Sequence, residues 1–236
     1  MFLDMERKKA AKLRILSYSI EPFEDREEAG RLLANELIEY KSQKAIVLGV
    51  PRGGVVVAKT LARELNADLD IVLAHKLRTP GYGELAMGSV SEQGDLFLNE
   101  DVLRDLNVSD DYIQQEKTIQ MAEIKRRAKL FRTVRPQMPV QDRIAIVTDD
   151  GVATGATTQA AIKAVRAENP KELILAVPVG SEDTLRRLAA DVDMVICLKS
   201  PWSLTAVGQV YMHFEPVTDE EVLEILRTYK IKDTVK

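Results

Sequence analysis

The chain has one cysteine, one tryptophan and two histidines in 236 residues, and only 5% of it is aromatic. A single thiol, Cys197, excludes an internal disulfide, and its place inside the apolar run "DMVICL" makes it a small buried hydrophobe. His75 and His213 stand far apart in sequence, which argues against a histidine-based metal cluster. No stretch approaches the roughly 20 apolar residues of a membrane span. The opening segment "MFLDMERKKAAKLR" lacks the apolar run that an export signal carries after its charges. Excess positive charge is missing as well. A net charge of −4 and a pI near 5.4 argue against a surface built for nucleic acid or anionic membranes. These absences describe a reduced cytoplasmic protein with no membrane partner.

What is present is ample core-forming material. With 45% hydrophobic and 30% charged residues, the chain is long enough for one sizeable core. Apolar runs at 45–50, 70–75, 144–149, 173–178 and 193–198 are mostly β-branched and lack polar alternation, as strands covered on both faces do. Between them, Val55–Leu65, Thr157–Ala167 and Asp183–Ala190 carry apolar residues at helical spacing and read as crossover helices. The pattern predicts an α/β fold, a central parallel sheet with helices on both faces. Two further helices are expected, "EDREEAGRLLANELIEY" and the long "SDDYIQQEKTIQMAEIKRRAKLFR" with Ser109 as its N-cap. Residues 78–99 are glycine-rich with only short β-like pieces, and are expected to form a mobile excursion from the sheet.

The densest chemistry lies in "IAIVTDDGVATGAT", residues 144–157. In a parallel sheet ligands sit beyond the C-terminal strand ends, where helix N-termini aim free N–H groups and positive dipole ends at them. The small residues of 151–157 expose backbone amides there, and Thr154, Thr157 and Thr158 add hydroxyl donors, which together suit a phosphate. Asp149 and Asp150 repel that phosphate and need hydroxyl donors or a metal beside it. A 5-phosphoribosyl group offers vicinal hydroxyls and a phosphate together.

The stretch 145–157, with its "DD…ATG.T" spacing, resembles the 5-phosphoribosyl 1-diphosphate (PRPP) signature of type I phosphoribosyltransferases. Gly151 departs from that pattern, in which an aliphatic residue is usual. "GVPRGG" (49–54) is similar to the family's diphosphate loop, and "AHKLR" (74–78) places Lys76 where several members carry a basic residue that reaches the diphosphate. The excursion at 78–99 resembles the loop that closes over substrates. The blocks "KL…P…ELA.G.V" and "VGQ.Y..F..V.DEEV" are shared with an uncharacterised branch of the superfamily.

The resemblance implies one phosphoribosyltransferase domain over 1–236, with a core at about 40–200 and a hood from about 15–43 and 200–230. It implies transfer of the phosphoribosyl group from PRPP to a nucleobase or other nitrogen acceptor, with Mg²⁺ held through PRPP and water rather than by a protein cage. Asp149 and Asp150 are then the catalytic and ribose-binding acids. Ala153, Thr154, Gly155, Ala156 and Thr157 bind the 5-phosphate, and Arg52, Gly53, Gly54 and Lys76 bind the diphosphate. Relatives that act on 6-oxopurines often carry a third acid where this chain has Ala153, which argues against that acceptor class. Dimers are usual among the relatives, so a homodimer is expected.

Two other readings stand beside this one. On the same loops a protein can sense PRPP or a nucleotide with little or no catalysis, and the basic segment 123–135 is then a candidate nucleic-acid face, set against intrahelical pairing with Glu116 and Glu123. Nucleotide triphosphate hydrolysis fails for want of a G-x-x-x-x-G-K-[ST] loop. Trp202, Tyr211 and Phe214 either stack on a base or cover the sheet edge.

Overall fold

The computed structural model describes residues 12–230; readings that concern 1–11 and 231–236 lie outside the described residues. Elements follow in the order β1 (Lys12–Ser17), α1 (Arg26–Glu36), β2 (Ile46–Gly49), α2 (Gly53–Leu65), β3 (Asp68–Ile71), β4 (Ala74–Thr79), β5 (Tyr82–Ser91) and β6 (Leu96–Leu98). Then come α3 (Glu100–Asp105), α4 (Asp110–Phe131), β7 (Ile144–Thr148), α5 (Ala156–Ala167), β8 (Glu172–Val179), α6 (Glu182–Leu188), β9 (Met194–Lys199) and α7 (Asp219–Thr228).

Six strands form a parallel sheet in the order β1-β9-β8-β7-β2-β3. Alternate side chains leave each strand on opposite faces, and both faces are covered. Val47, Ile146, Ile174 and Ile196 meet Leu33 of α1 and Leu61 of α2. Ile46, Val147, Leu175 and Cys197 meet Ala161 of α5 and Leu185 of α6. The predicted α/β layering is therefore present, with a sixth strand that the apolar runs did not signal. β1 lies at the sheet edge with Lys12 and Arg14 in it, so its sequence, "KLRILS", carries too much charge to read as a covered strand.

Two expectations need correction. The run at 70–75 is not one strand: Ile71 ends β3 and Ala74 begins β4 in a second sheet. Nor is the stretch 78–99 a run of short β-like pieces, because β4, β5 and β6 form a three-stranded antiparallel sheet over 74–98 with a ten-residue central strand. The glycine content that suggested an irregular loop has another cause at Gly88, where a Cβ would stand 2.5 Å from the Phe97 carbonyl oxygen of the paired strand. Leu77, Met87 and Val90 of this sheet pack on Ile113, Ile124 and Phe131 of α4 and on Val222 and Leu226 of α7. Arg132 ties the two sheets together, donating to Asp70 at 2.7 Å and to Glu92 at 2.9 Å.

α4 begins as expected. The Ser109 hydroxyl accepts the Tyr112 amide at 3.3 Å, and Asp110 and Asp111 sit in the first turn, where negative charge suits the dipole. Ser109→Ala is expected to cost about 1 kcal/mol, read as a lower denaturant midpoint at constant slope; an unmoved midpoint would show the cap to be idle.

Candidate functional site

Asp149 and Asp150 follow β7 directly, so strand geometry delivers both carboxylates to the C-terminal edge of the sheet. Oδ1 of Asp149 accepts the Asp150 amide at 2.9 Å, and Oδ2 accepts the Thr158 hydroxyl at 3.4 Å. The predicted role of Thr158 as a phosphate donor is thereby corrected, because its buried hydroxyl is turned toward the acid. Burial, and then the charge of Asp150, push the Asp149 carboxyl well above the ordinary range. Burial also raises Asp150, against the pull of Arg26, whose Nε donates to Oδ2 at 2.9 Å.

α2 presses on this pair from below. A Cβ at Gly53 would stand 1.9 Å from Asp150 Oδ2, and one at Gly54 2.8 Å from Asp149 Cα. These glycines thus make room for the acids as well as starting the helix. Gly151 is explained in the same way: a Cβ there would stand 2.4 Å from Val207 Cγ1 and 2.7 Å from Val179 Cγ1. Val207 fills from the C-terminal segment the space that an aliphatic residue at 151 would need.

The next loop is sewn to β8 by the Val152 amide, which donates to the Val179 carbonyl at 2.8 Å. Beyond it the carbonyls of Ala153 and Thr154 accept from α6, through the Thr184 hydroxyl at 2.9 Å and Arg187 Nη2 at 3.3 Å. A trans peptide sets the following N–H opposite to its carbonyl, so the amides of Thr154 and Gly155 face away from α6. Gly155 takes φ +78°, and a Cβ there would also stand 2.5 Å from Thr184 Cγ2. No amide of residues 153–157 donates to another group among the described residues, and Thr154 and Thr157 are exposed. The free amides at the N-terminus of α5 form an arch of the kind that suits an anion.

The other predicted binders stand on the 49–54 turn and on β4. The Pro51–Arg52 peptide is cis. Arg52 is half exposed, with Nη1 4.0 Å from Asp219 Oδ1 at the start of α7. Lys76 on β4 shares an open cleft of about 540 Å³ with Pro51, Thr157, His75, Gln120 and Arg127. The fold therefore brings Pro51 of the 49–54 loop, Lys76 and Thr157 to one opening, while Arg52, Gly53 and Gly54 are not among the residues that line it. His75 Nδ1 lies 3.0 Å from Gln120 Oε1, whose own amide donates to Glu116, so Nδ1 carries the proton in this network. Burial lowers the His75 pKa.

Sequence reasoning missed Arg26, which no motif or spacing marks. Tyr211 and Phe214 were weighed as base-stacking residues, and both are otherwise engaged. The Tyr211 hydroxyl donates to the Asp150 carbonyl at 2.6 Å, and Phe214 lies 3.9 Å beneath the Arg26 guanidinium. Trp202 is 85% exposed and stacks on Tyr18 at 5.1 Å between ring centroids. The arginines of the basic segment are bonded internally: Arg126 and Arg127 to Glu123, Arg132 to Asp70, and Arg135 to backbone carbonyls of Leu226 and Tyr229, while Lys125 and Lys129 are exposed. Glu116, expected to pair within α4, binds Arg78 of β4 at 2.9 Å instead.

Residues 19–211 match the family model described as phosphoribosyl transferase domain. A curated protein of Mycobacterium tuberculosis (strain ATCC 25618 / H37Rv), provisionally named a phosphoribosyl transferase, is 42% identical over 204 residues, covering 86% of this chain and 46% of that protein. The chain thus spans about half the length of the curated relatives it matches. The crystal structure of TT1426 from Thermus thermophilus has a TM-score of 0.82 and 42% identity, covering 87% of this chain and 98% of that one. A purine phosphoribosyltransferase from Pyrococcus horikoshii gives a TM-score of 0.44 at 18% identity, covering 82% and 92%. With the family model spanning most of the acid pair's surroundings and the relatives this similar, the chain belongs to the phosphoribosyl transferase domain family.

Proposed function

We propose that the chain transfers the 5-phosphoribosyl group of PRPP to a nitrogen acceptor and releases diphosphate. The observation that carries this reading is the acid pair set directly beside an arch of free amides at the end of β7. Asp149 and Asp150 accept the 2- and 3-hydroxyls of the ribose, and the amides of 153–157 with the Thr154 and Thr157 hydroxyls hold its 5-phosphate. The C1–oxygen bond breaks, its electron pair leaves with diphosphate, and the acceptor nitrogen bonds to C1. Positive charge develops on the ribose during the exchange, and the two carboxylates stabilise it electrostatically.

Arg52, the amides of Gly53 and Gly54, and Lys76 meet the departing diphosphate. For this Arg52 leaves Asp219, a contact long enough to be given up. Mg²⁺ is the expected companion and supplies charge neutralisation on the diphosphate. No group of three or more His, Cys, Asp or Glu side chains suited to a metal occurs among the described residues; in this reading the ion would be held by the oxygens of PRPP and by water. The acceptor is a nucleobase or an amine. With Ala153 in place of a third acid, 6-oxopurines are disfavoured.

No helix among the described residues is long and apolar enough to cross a membrane, and we place the reaction in the cytoplasm. The internal bonds of its four arginines weaken the basic segment as a nucleic-acid face. The direct test is diphosphate release from PRPP and Mg²⁺ across a panel of nucleobases and amines. Acceptor-dependent release supports transfer; PRPP binding with no turnover on any acceptor favours a sensor. Thr154→Val removes one hydrogen bond to a charged phosphate and is expected to weaken PRPP binding roughly tenfold, measured by calorimetric titration; unchanged affinity would remove Thr154 from the site.

A further inference from the structure

We infer that Arg26 is a positioning residue of the transfer site, one that holds the Asp150 carboxylate in place against the C-terminal segment; the inference rests on the phosphoribosyl-transfer reading above. Arg26 is the first residue of α1, and its side chain is only 10% exposed. Nε donates to Asp150 Oδ2 at 2.9 Å, Nη1 donates to the Glu215 carbonyl at 3.0 Å, and the guanidinium plane covers Phe214. Three separate parts of the chain meet at one side chain. Among the described residues it is the one cation in an ion pair with either aspartate.

Stability gives no reason for this arrangement. A buried ion pair is a weak stabiliser, since desolvation of both charges offsets their attraction. A cation at a helix N-terminus opposes the dipole as well. Yet the packing is built to keep Arg26 there. Gly30, one turn along α1, faces α2 so closely that a Cβ would stand 2.8 Å from Thr60 Cβ and 2.9 Å from the Val57 carbonyl oxygen. That approach brings the start of α1 within reach of Asp150. The guanidinium meets only Oδ2, so Oδ1 is not used up by the ion pair. Tyr211, donating to the Asp150 backbone carbonyl, fixes the same residue from its other side. Arg26 therefore sets where the Asp150 carboxylate points, and the Tyr211–Glu215 segment sets where Arg26 points.

The test is a set of variants, Arg26→Gln, Arg26→Lys, Asp150→Asn and the double variant Arg26→Gln/Asp150→Asn, read by kcat and KM for diphosphate release. Arg26→Gln is expected to lower kcat at least about 30-fold, with the acceptor KM moving less than about threefold. Arg26→Lys regains part of that loss. In the Asp150→Asn background, Arg26→Gln costs less than about twofold more, because its effect passes through Asp150. Wild-type kcat in Arg26→Gln would overturn the inference, as would the same fold-loss in both backgrounds. If Arg26→Gln fails to fold, the double variant decides, since its pair carries no unpaired charge: a rate equal to that of Asp150→Asn supports positioning and a much lower one contradicts it. Wild-type protein that neither binds nor turns over PRPP sinks the transfer reading itself, a result seen before any variant is made.

Discussion

Asp149→Asn is expected to raise the midpoint of thermal unfolding at neutral pH and to lower turnover of PRPP by about 10²–10³-fold. The two effects share one cause. Burial and the neighbouring Asp150 charge raise the Asp149 pKa in the folded protein above its ordinary value of 3.8. For an acid shifted in this direction the folded state binds more protons than the unfolded one, so stability falls as pH climbs from the unfolded value through the raised folded value. At neutral pH, above the unfolded value, the buried carboxyl group therefore costs stability. Asparagine relieves this and keeps the local bonds, since its oxygen still accepts the Asp150 amide and its amide can donate to the Thr158 hydroxyl. A gain of about 1 kcal/mol corresponds to roughly 2–4 °C in a protein of this size.

On the proposed mechanism the same substitution removes a carboxylate from the place where ribose charge develops, a loss typically of about 10²–10³ in rate for one electrostatic stabiliser. Scanning calorimetry from about pH 4 to about pH 8, on either side of the unfolded value, beside a diphosphate-release assay, checks both. The stability gain should shrink as pH falls toward the unfolded value. A less stable Asp149→Asn at neutral pH, or one with full turnover, would refute this account of the acid pair.

Gly54→Ala and Gly53→Ala are expected to fail differently. The added Cβ of Gly54→Ala meets backbone, Asp149 Cα at 2.8 Å and the Thr148 carbonyl oxygen at 3.0 Å, and neither can rotate away. α2 must back off β7, at a cost of about 1–3 kcal/mol, and the acids lose their seat. Turnover should fall at least about 10²-fold, as small misplacements at a reacting centre do. Gly53→Ala meets side-chain atoms instead, Asp150 Oδ2 at 1.9 Å and Arg26 Nε at 3.0 Å. These can shift, so it should lose turnover with a smaller fall in stability. Unfolding midpoints and turnover measured on both variants separate the cases; equal losses of stability would contradict the distinction.

The core strands and their sandwiching helices were legible because burial on both faces leaves runs such as "AIVLGV" and "LILAVP" that few other structures produce. β1 was not, since an edge strand keeps polar residues and borrows its identity from β9, far away at the other end of the sequence. The β4–β6 sheet was hidden behind its glycines, which look like loop-formers although Gly88 exists for close strand approach. Within the site, the acids and the small-residue loop are contiguous and could be read together. Arg26, Tyr211 and Val207 act on that loop from opposite ends of the chain, and a contact across 124 residues, as between Arg26 and Asp150, leaves no periodicity to detect.

The central claim is that one ligand spans the acid pair and the amide arch. A crystal structure of the wild-type protein with PRPP and Mg²⁺ tests it most directly. The expected result places the 5-phosphate about 2.7–3.2 Å from the amides of residues 154–157, with the ribose hydroxyls on Asp149 and Asp150 and the diphosphate toward Arg52 and Lys76. PRPP bound elsewhere, or bound with both carboxylates turned away from the sugar, would contradict it.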